Sequence, residues 1–118
     1  MNKENAWKLA NDWVTAWNAH DLDSIMAHYD DAVELTSPVA AKLLGTPDGK
    51  VAGKAHLRAY FARGLAAYPD LQFHLEDVLW GMNSILLYYA NQTGRRTGEF
   101  MELSADGKVT RVVANYNA

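Results

Sequence analysis

The chain has 118 residues, a mass of 13.1 kDa, 49% hydrophobic residues and a formal charge of −3, which fits one domain, residues 1–118, with a packed core and without the basic stripe that nucleic-acid binding needs. It has no cysteine, which excludes disulfides, a thiolate nucleophile and a Cys-ligated metal. No apolar run approaches the about 20 residues of a membrane span, and the polar N-terminus lacks the apolar core of a signal peptide, so we expect a soluble, cytoplasmic protein with no membrane contact.

Two amphipathic helices are predicted at the start of the chain. Between Lys3 and His20 the apolar residues recur at the i, i+3 and i+7 spacing of one helical face; they include Trp7, Ala10, Val14 and Trp17. Asp21 can accept a hydrogen bond as the N-cap of a second helix. The apolar stripe of that helix consists of Leu22, Ile25, Met26 and Tyr29. We expect the Asp30-Asp31 pair to end it.

A β-strand and a lid are predicted next. In the segment AVELTS, Val33, Leu35 and Ser37 alternate with polar residues and therefore share one strand face, and Pro38 ends the strand. Residues 38–52 combine a Pro-Asp-Gly turn with apolar side chains that a solvated linker would not need. This composition indicates a partly packed lid.

The second half of the chain begins with a third helix, over residues 53–68, which Pro69-Asp70 ends. The period then changes to two, in four strand-like runs at residues 71–80, 84–93, 96–104 and 108–116. Turns typical of hairpins separate these runs. The pattern predicts an α+β fold of three helices, an early strand and a four-stranded meander, with apolar helix stripes lining the space against the sheet.

Three segments carry a resemblance to a known superfamily. They are AWNAHDLDSIMAHYDDAVELTSP, GKAHLRAYF and FMELSADGKVTRVVANY. The chain resembles the nuclear transport factor 2-like superfamily, which includes ketosteroid isomerases and SnoaL-like polyketide cyclases. The resemblance implies a cystatin-like α+β barrel, in which a cone-shaped, curved antiparallel or mixed sheet packs on three N-terminal helices. It does not fix an activity, because the fold hosts enzymes and binding modules alike.

The resemblance also implies roles for three positions. The proton-shuttling carboxylate of the ketosteroid isomerases precedes the proline that ends the first strand, which is Ser37 here, and a hydroxyl cannot be the resting base. Their oxyanion-binding phenol matches Trp13, whose indole N–H can donate a hydrogen bond but cannot exchange a proton. Their second acid matches Glu99. In SnoaL-like cyclases a single acidic residue acts as acid and base, which keeps that role open for Glu99.

The residues around Glu99 allow two interpretations. Period two places Glu99 on one strand face with Thr97, Met101 and Leu103. If this face lines the cone, burial raises the pKa of the carboxyl group towards the range that is useful for acid–base catalysis. The alternative is a surface glutamate, or one that is paired with a nearby arginine: Arg95, Arg96 or Arg111.

Aromatic and apolar side chains complete the candidate ligand site. Tyr29, Tyr88 and Tyr116 are expected to converge on the cavity, where a phenol can orient a carbonyl or enolate oxygen, although each alone is more typical of a core residue. Ser37 lacks a nucleophile elbow and is expected to bond backbone or touch ligand. The expected apolar wall consists of Val33, Leu35, Phe61, Met101, Val112 and Ala114.

Neither a metal nor another cofactor is expected. The four histidines form no local pair that resembles a metal-binding motif. Residues 85–89, ILLYY, are apolar on both strand faces, whereas a half-solvated sheet would alternate. We therefore expect a homodimer through the outer sheet face, and the alternative is cover by the protein's own C-terminus.

Two functions remain open at this stage, together with a purely structural role if the protein's own aromatic side chains fill the cone. The first is a cofactor-free isomerisation or cyclisation of a small hydrophobic carbonyl compound, with Glu99 as acid or base. The second is a non-catalytic ligand-binding or association module of the same fold, which Ser37 at the isomerase base position favours.

Overall fold

The computed structural model describes residues 1–117, so residue 118 of the predicted domain lies outside the described residues. This part of the chain contains four helices and six strands. In chain order they are α1 (Lys3–Asn18), α2 (Leu22–Met26), β1 (Tyr29–Thr36), α3 (Pro38–Leu44), β2 (Lys50–Ala52), α4 (Lys54–Ala67), β3 (His74–Trp80), β4 (Ser84–Ala90), β5 (Arg96–Leu103) and β6 (Val109–Tyr116).

The six strands form one mixed sheet in the order β2-β1-β6-β5-β4-β3. Strands β3 to β6 are an antiparallel meander, and β1 joins it by pairing parallel to β6. The short β2 pairs antiparallel with β1. The sheet is open, with β2 and β3 at its edges. The predicted α+β class with a mixed sheet is confirmed.

The helices cover the inner face of the sheet. Helix α1 contacts β3 and α2, whereas α4 contacts β1, β2 and α2. Polar side chains cap the N-termini of α1 and α2. Asn2 accepts a hydrogen bond from the Asn5 amide, and Asp21 accepts one from the Ser24 amide. The buried face of α1 is rotated from the predicted stripe, since Trp7 and Val14 are only partly buried. The buried residues are Ala6, Ala10, Trp13, Ala16 and Trp17.

The prediction that Tyr29 lies on the second helix is wrong. Helix α2 ends at Met26, and Tyr29 is the first residue of β1. Pairing with β6 decides this, since Tyr29 is in register with Val109, whose amide donates to the His28 carbonyl at 2.8 Å. The register between β1 and β6 then shifts before Glu34, a bulge that accommodates the two aspartates inside the strand.

The segment predicted as a lid contains regular structure. Ser37 caps α3 by accepting a hydrogen bond from the Val39 amide at 3.1 Å, and Pro38 occupies the first helical turn. Gly45 ends α3 in the left-handed conformation, with φ of 69°. The proline that ends β1 therefore also begins a helix, which the sequence analysis did not anticipate.

Candidate functional site

Strand β5 directs Glu99 towards the helices. The strand alternates as predicted, so that Thr97, Glu99 and Met101 are buried while the residues between them face outwards. Glu99 is 6% exposed, and its Oε1 accepts a hydrogen bond from the Tyr89 hydroxyl at 2.8 Å. Arg96 and Arg111, which could have paired with it, instead bind Glu76 and Glu102.

Burial makes Glu99 a weak acid. Desolvation of the carboxylate raises the pKa of Glu99 to about 7, and the hydrogen bond from Tyr89 opposes this shift because it stabilises the charged form. A carboxyl group with a pKa near neutrality is present in both protonation states, so it can accept or donate a proton.

Four tyrosines lie close enough to Glu99 for its charge to affect them. Burial raises the pKa of each phenol, to about 12 for Tyr60 and further for the others, and the negative charge of Glu99 raises it again. The phenols are therefore neutral hydrogen-bond donors at physiological pH. We call this group the acid–phenol cluster; it consists of Glu99, Tyr29, Tyr60, Tyr89 and Tyr116.

The structure brings two of the predicted donors, Trp13 and Tyr29, into contact with each other. The Trp13 indole Nε1 donates to the Tyr29 hydroxyl at 3.0 Å, and both side chains are buried. The indole thus orients the phenol and leaves the phenol's own proton free to be donated. Beside them the indole nitrogen of Trp17 is buried, and no hydrogen-bond partner for it is found within residues 1–117.

Ser37 lies beside Tyr116, which is the most exposed tyrosine of the acid–phenol cluster. Their hydroxyl oxygens are 3.4 Å apart, and Ser37 is buried whereas Tyr116 is 39% exposed. The Ser37 amide also donates to the Gly49 carbonyl at 3.0 Å. With its hydroxyl engaged by the Val39 amide and by Tyr116, Ser37 holds the backbone around the cluster.

A sequence model of the SnoaL-like domain matches residues 10–112. The chain belongs to the SnoaL-like family. A SnoaL-like protein of unknown function from Burkholderia thailandensis is 34% identical in sequence, and its structure superimposes with a TM-score of 0.95 over 99% of this chain and 98% of that one. No match was found among curated proteins.

Two more distant structures show how widely this SnoaL-like fold is shared. A proposed ketosteroid isomerase from Kribbella flavida is 19% identical, with a TM-score of 0.75 over 98% of this chain and 79% of that one. SalBIII, an epoxide hydrolase/cyclase-like enzyme in pyran ring formation in the polyether salinomycin, is 15% identical, with a TM-score of 0.76 over 98% and 93%. At these identities the likeness concerns the fold alone.

The prediction that Tyr88 faces the cavity of this SnoaL-like chain is wrong. Leu87 pairs with Glu99 across β4 and β5, so Tyr89, two residues further on, shares the inner face, and Tyr88 is on the outer face with 38% exposure. Tyr89 could not be recognised from the sequence, because the residues on both faces of β4 are apolar. The hairpin register relative to Glu99 is the signal that selects Tyr89.

The predicted wall residues form the core of the SnoaL-like domain. All six are buried: Val33, Leu35, Phe61, Met101, Val112 and Ala114. Aromatic rings fill the space between α1, α4 and the sheet, with ring centroids 4.8 Å apart for Trp17 and Phe61 and 4.5 Å apart for Phe73 and Tyr89. The space between α1, α4 and the sheet is therefore packed with side chains near these rings.

Two of the surface cavities within residues 1–117 of the SnoaL-like chain have similar volumes. One, of about 390 Å³, lies between α3, β2 and α4 and has Tyr60 in its wall. The other, of about 380 Å³, lies on the outer side near Met82 and Phe100. Glu99 lines neither, but Tyr60 connects the first cavity with the acid–phenol cluster.

Within residues 1–117, no group of three or more histidine, aspartate or glutamate side chains is placed to hold a metal ion. None of the four described helices is both long and apolar enough to cross a membrane.

Proposed function

We propose that this SnoaL-like chain catalyses cofactor-free proton transfer, as part of an isomerisation or cyclisation, on a small hydrophobic carbonyl compound. The observation that carries the proposal is the buried carboxyl group of Glu99, whose pKa is about 7 and which stands among four neutral phenols. Buried acids with shifted pKa values are typical of acid–base sites. A proposed ketosteroid isomerase and a cyclase-like enzyme share this fold, so the fold is compatible with this class of reaction.

The proposed reaction uses Glu99 in both directions. The Glu99 carboxylate removes a proton from the carbon next to the substrate carbonyl. The electron pair of the broken C–H bond forms a C=C bond while the π pair of the carbonyl group moves to its oxygen, which gives an enolate. Phenol hydroxyls donate hydrogen bonds to that oxygen, and Tyr116 and Tyr60, nearest to solvent, are the first candidates. Protonated Glu99 then returns the proton to another carbon, so no net charge is left behind.

Two observations favour the alternative of a non-catalytic ligand-binding or association module. Ser37 stands where the ketosteroid isomerases carry their proton-shuttling carboxylate, and its hydroxyl is within hydrogen-bond distance of Val39 and Tyr116. Aromatic rings also fill part of the interior. A binding module needs neither a base nor a proton path, and it would bind ligands saturably without turnover.

Proton exchange into solvent separates the two functions. We would incubate a panel of cyclic ketones and enones with the protein in D₂O and follow loss of the α-proton signals by NMR. The rate of an enzyme should rise with pH through about 7, because the base is the carboxylate form. Glu99→Gln should abolish the exchange, whereas Glu102→Gln, on the outer face of the same strand, should retain it.

Two results would count against catalysis by Glu99. Saturable binding of panel compounds without exchange would establish the binding module. Exchange that persists at the wild-type rate in Glu99→Gln would assign the base to another residue. The NMR spectrum of each variant serves as the check that the fold is intact.

A further inference from the structure

The cavity between α3, β2 and α4 is a groove of about 390 Å³ with an apolar floor. This volume lies in the range of small-molecule sites. Val51 in the floor is 5% exposed, so the groove reaches the core. We call it the basic groove; its lining consists of Leu44, Lys50, Val51, Ala52, His56, Ala59, Tyr60 and Arg63.

The charge of the basic groove is opposite to that of the whole chain. The chain carries −3, yet the lining contains a lysine, an arginine and a histidine and no acidic residue. Lys50 is 3.5 Å from the Glu34 carboxylate, but both side chains are more than half exposed, so this pair is weak. Within residues 1–117 the Arg63 guanidinium has no ion pair or side-chain hydrogen bond. Both cations are thus available to an anion.

Tyr60 joins the basic groove to the acid–phenol cluster. Its ring lines the groove, and its hydroxyl is near enough to Glu99 and Ser37 for both to influence its pKa. Tyr60 therefore belongs both to the lining of the cationic groove and to the surroundings of Glu99. A ligand with a negative end and an apolar body matches the cations and the apolar side chains of the groove.

We propose that the basic groove binds the carboxylate of an amphipathic substrate, with Lys50 and Arg63 as its partners, while the apolar body extends past Tyr60 towards Glu99. The guanidinium of Arg63 can hold a carboxylate through two parallel hydrogen bonds, and the Lys50 ammonium adds a point charge. The second half of this proposal, that the bound molecule is the substrate of Glu99, rests on the proposed function. Binding in the groove does not.

A titration with matched probes tests the groove directly. The probes are 4-phenylbutyrate and its neutral analogue 4-phenylbutanamide, added to ¹⁵N-labelled protein. The carboxylate should bind, shift the amide signals of Val51 and Ala59, and bind more weakly at high salt. The double variant Lys50→Gln/Arg63→Gln should bind it about tenfold more weakly.

The control variant, Lys42→Gln/Lys54→Gln, removes the same charge from neighbouring positions outside the groove lining. It should bind 4-phenylbutyrate as the wild type does. Equal binding of the amide and the carboxylate, or unchanged affinity in Lys50→Gln/Arg63→Gln, would overturn the groove proposal. Absence of 4-phenylbutyrate binding by the wild type at millimolar concentration would do the same.

The failure of the groove and the failure of the proposed function give different results. If Glu99→Gln and the wild type both bind 4-phenylbutyrate and no carbonyl compound exchanges protons, the groove stands and the catalysis fails. If neutral ketones exchange protons but the carboxylate does not bind, the groove fails and the catalysis stands. If both hold, Lys50→Gln/Arg63→Gln should raise KM for a keto acid but not for its methyl ester, with kcat unchanged.

Discussion

Glu99 is a buried acid that destabilises the protein when it is charged. Its pKa of about 7 in the folded protein exceeds the usual 4.5 because burial disfavours the carboxylate. Below the usual value both the folded and the unfolded chain carry the proton, and there is no penalty. As pH rises through the folded pKa, stability falls by a total of about 3 kcal/mol.

We therefore expect the wild type to lose stability relative to Glu99→Gln between about pH 5 and about pH 8. The amide is neutral throughout and can still accept the hydrogen bond from Tyr89. The free energy of unfolding in urea, measured for both proteins at the two pH values, gives the difference. Parallel pH dependences of the two proteins would mean that Glu99 has an ordinary pKa and would weaken the proposed catalysis with it.

At the level of single residues, the sequence predicted which face of a strand a side chain occupies better than it predicted the hydrogen-bond partner of that side chain. The alternation of β5 was sufficient to bury Glu99, and the pattern of β1 was sufficient to bury Val33, Leu35 and Ser37. The hydrogen bond from Tyr89 to Glu99 was not predictable, because it depends on the register of β4, whose sequence is apolar on both faces. A shift by one residue exchanges Tyr88 and Tyr89.

At the level of elements, the connection between α3 and β2 fixes one side of the acid–phenol cluster. Gly49 has φ of +64°, and a Cβ atom there would lie 2.4 Å from the Ser37 carbonyl oxygen. The same glycine accepts the backbone hydrogen bond from the Ser37 amide. A side chain at position 49 must therefore displace the backbone of Ser37, the N-cap of α3, or the loop that carries position 49.

Two glycine substitutions isolate this close approach. Gly49→Ala and Gly45→Ala both place a side chain at positive φ, which costs about 1–2 kcal/mol. A Cβ atom at Gly45 would meet no heavy atom within 4 Å, so only Gly49→Ala adds a clash. We expect Gly49→Ala to lose clearly more stability in urea unfolding and to shift the NMR signals of Ser37 and Tyr116. Equal losses in the two variants would show that the loop relaxes freely.

Long-range pairing explains where the prediction of elements failed. Leu22 to Tyr29 has a helical period, yet the last residue of that stripe extends because β6 offers it a parallel partner. The segment of residues 38–52 holds α3 and β2 because a strand-ending proline can also begin a helix and because β1 has a free edge for β2. Local patterns do not contain the information on either partner.

At the level of the whole molecule, the outer face of the sheet carries a row of apolar side chains. Leu79, Leu86, Phe100 and Val113 are in register across β3, β4, β5 and β6, on the side opposite to Glu99. Leu79 is 53% exposed in the single chain. A continuous apolar row of this kind is typical of an interaction surface.

We expect this row to form the homodimer interface that the sequence analysis predicts. Light scattering should give twice the chain mass of 13.1 kDa, and Leu79→Lys/Phe100→Lys should give the single-chain mass, since charges facing their own copies across a two-fold axis repel each other. Leu44→Lys, at an exposed leucine away from the row, is the control and should remain dimeric. A wild type that scatters as a single chain would refute the dimer.

The resemblance to a known superfamily predicted how the elements are arranged, whereas the periodicity of the residues predicted only the individual helices and strands. Three helices, a strand and a meander can be assembled in several ways, and nothing in their periodicity states that β1 lies parallel to β6. The helix-helix-strand opening and the closing hairpin, taken together as a superfamily pattern, implied a curved antiparallel or mixed sheet packed on helices, but the parallel pairing of β1 with β6 was not predicted. The activity is not contained in the pattern, because this fold supports different chemistries.

The parallel pairing of β1 with β6 also sets the order of events during synthesis. Leu35 pairs with Val112, so the edge of β1 that faces β6 can form its hydrogen bonds only after β6, the last strand, has been synthesised. Until then β1 has only the three residues of β2 beside it. Loop closure over such a separation is slow. We therefore expect the aromatic residues of the nascent chain to stay unshielded for most of translation, because the acid–phenol cluster forms only after β6 has been made.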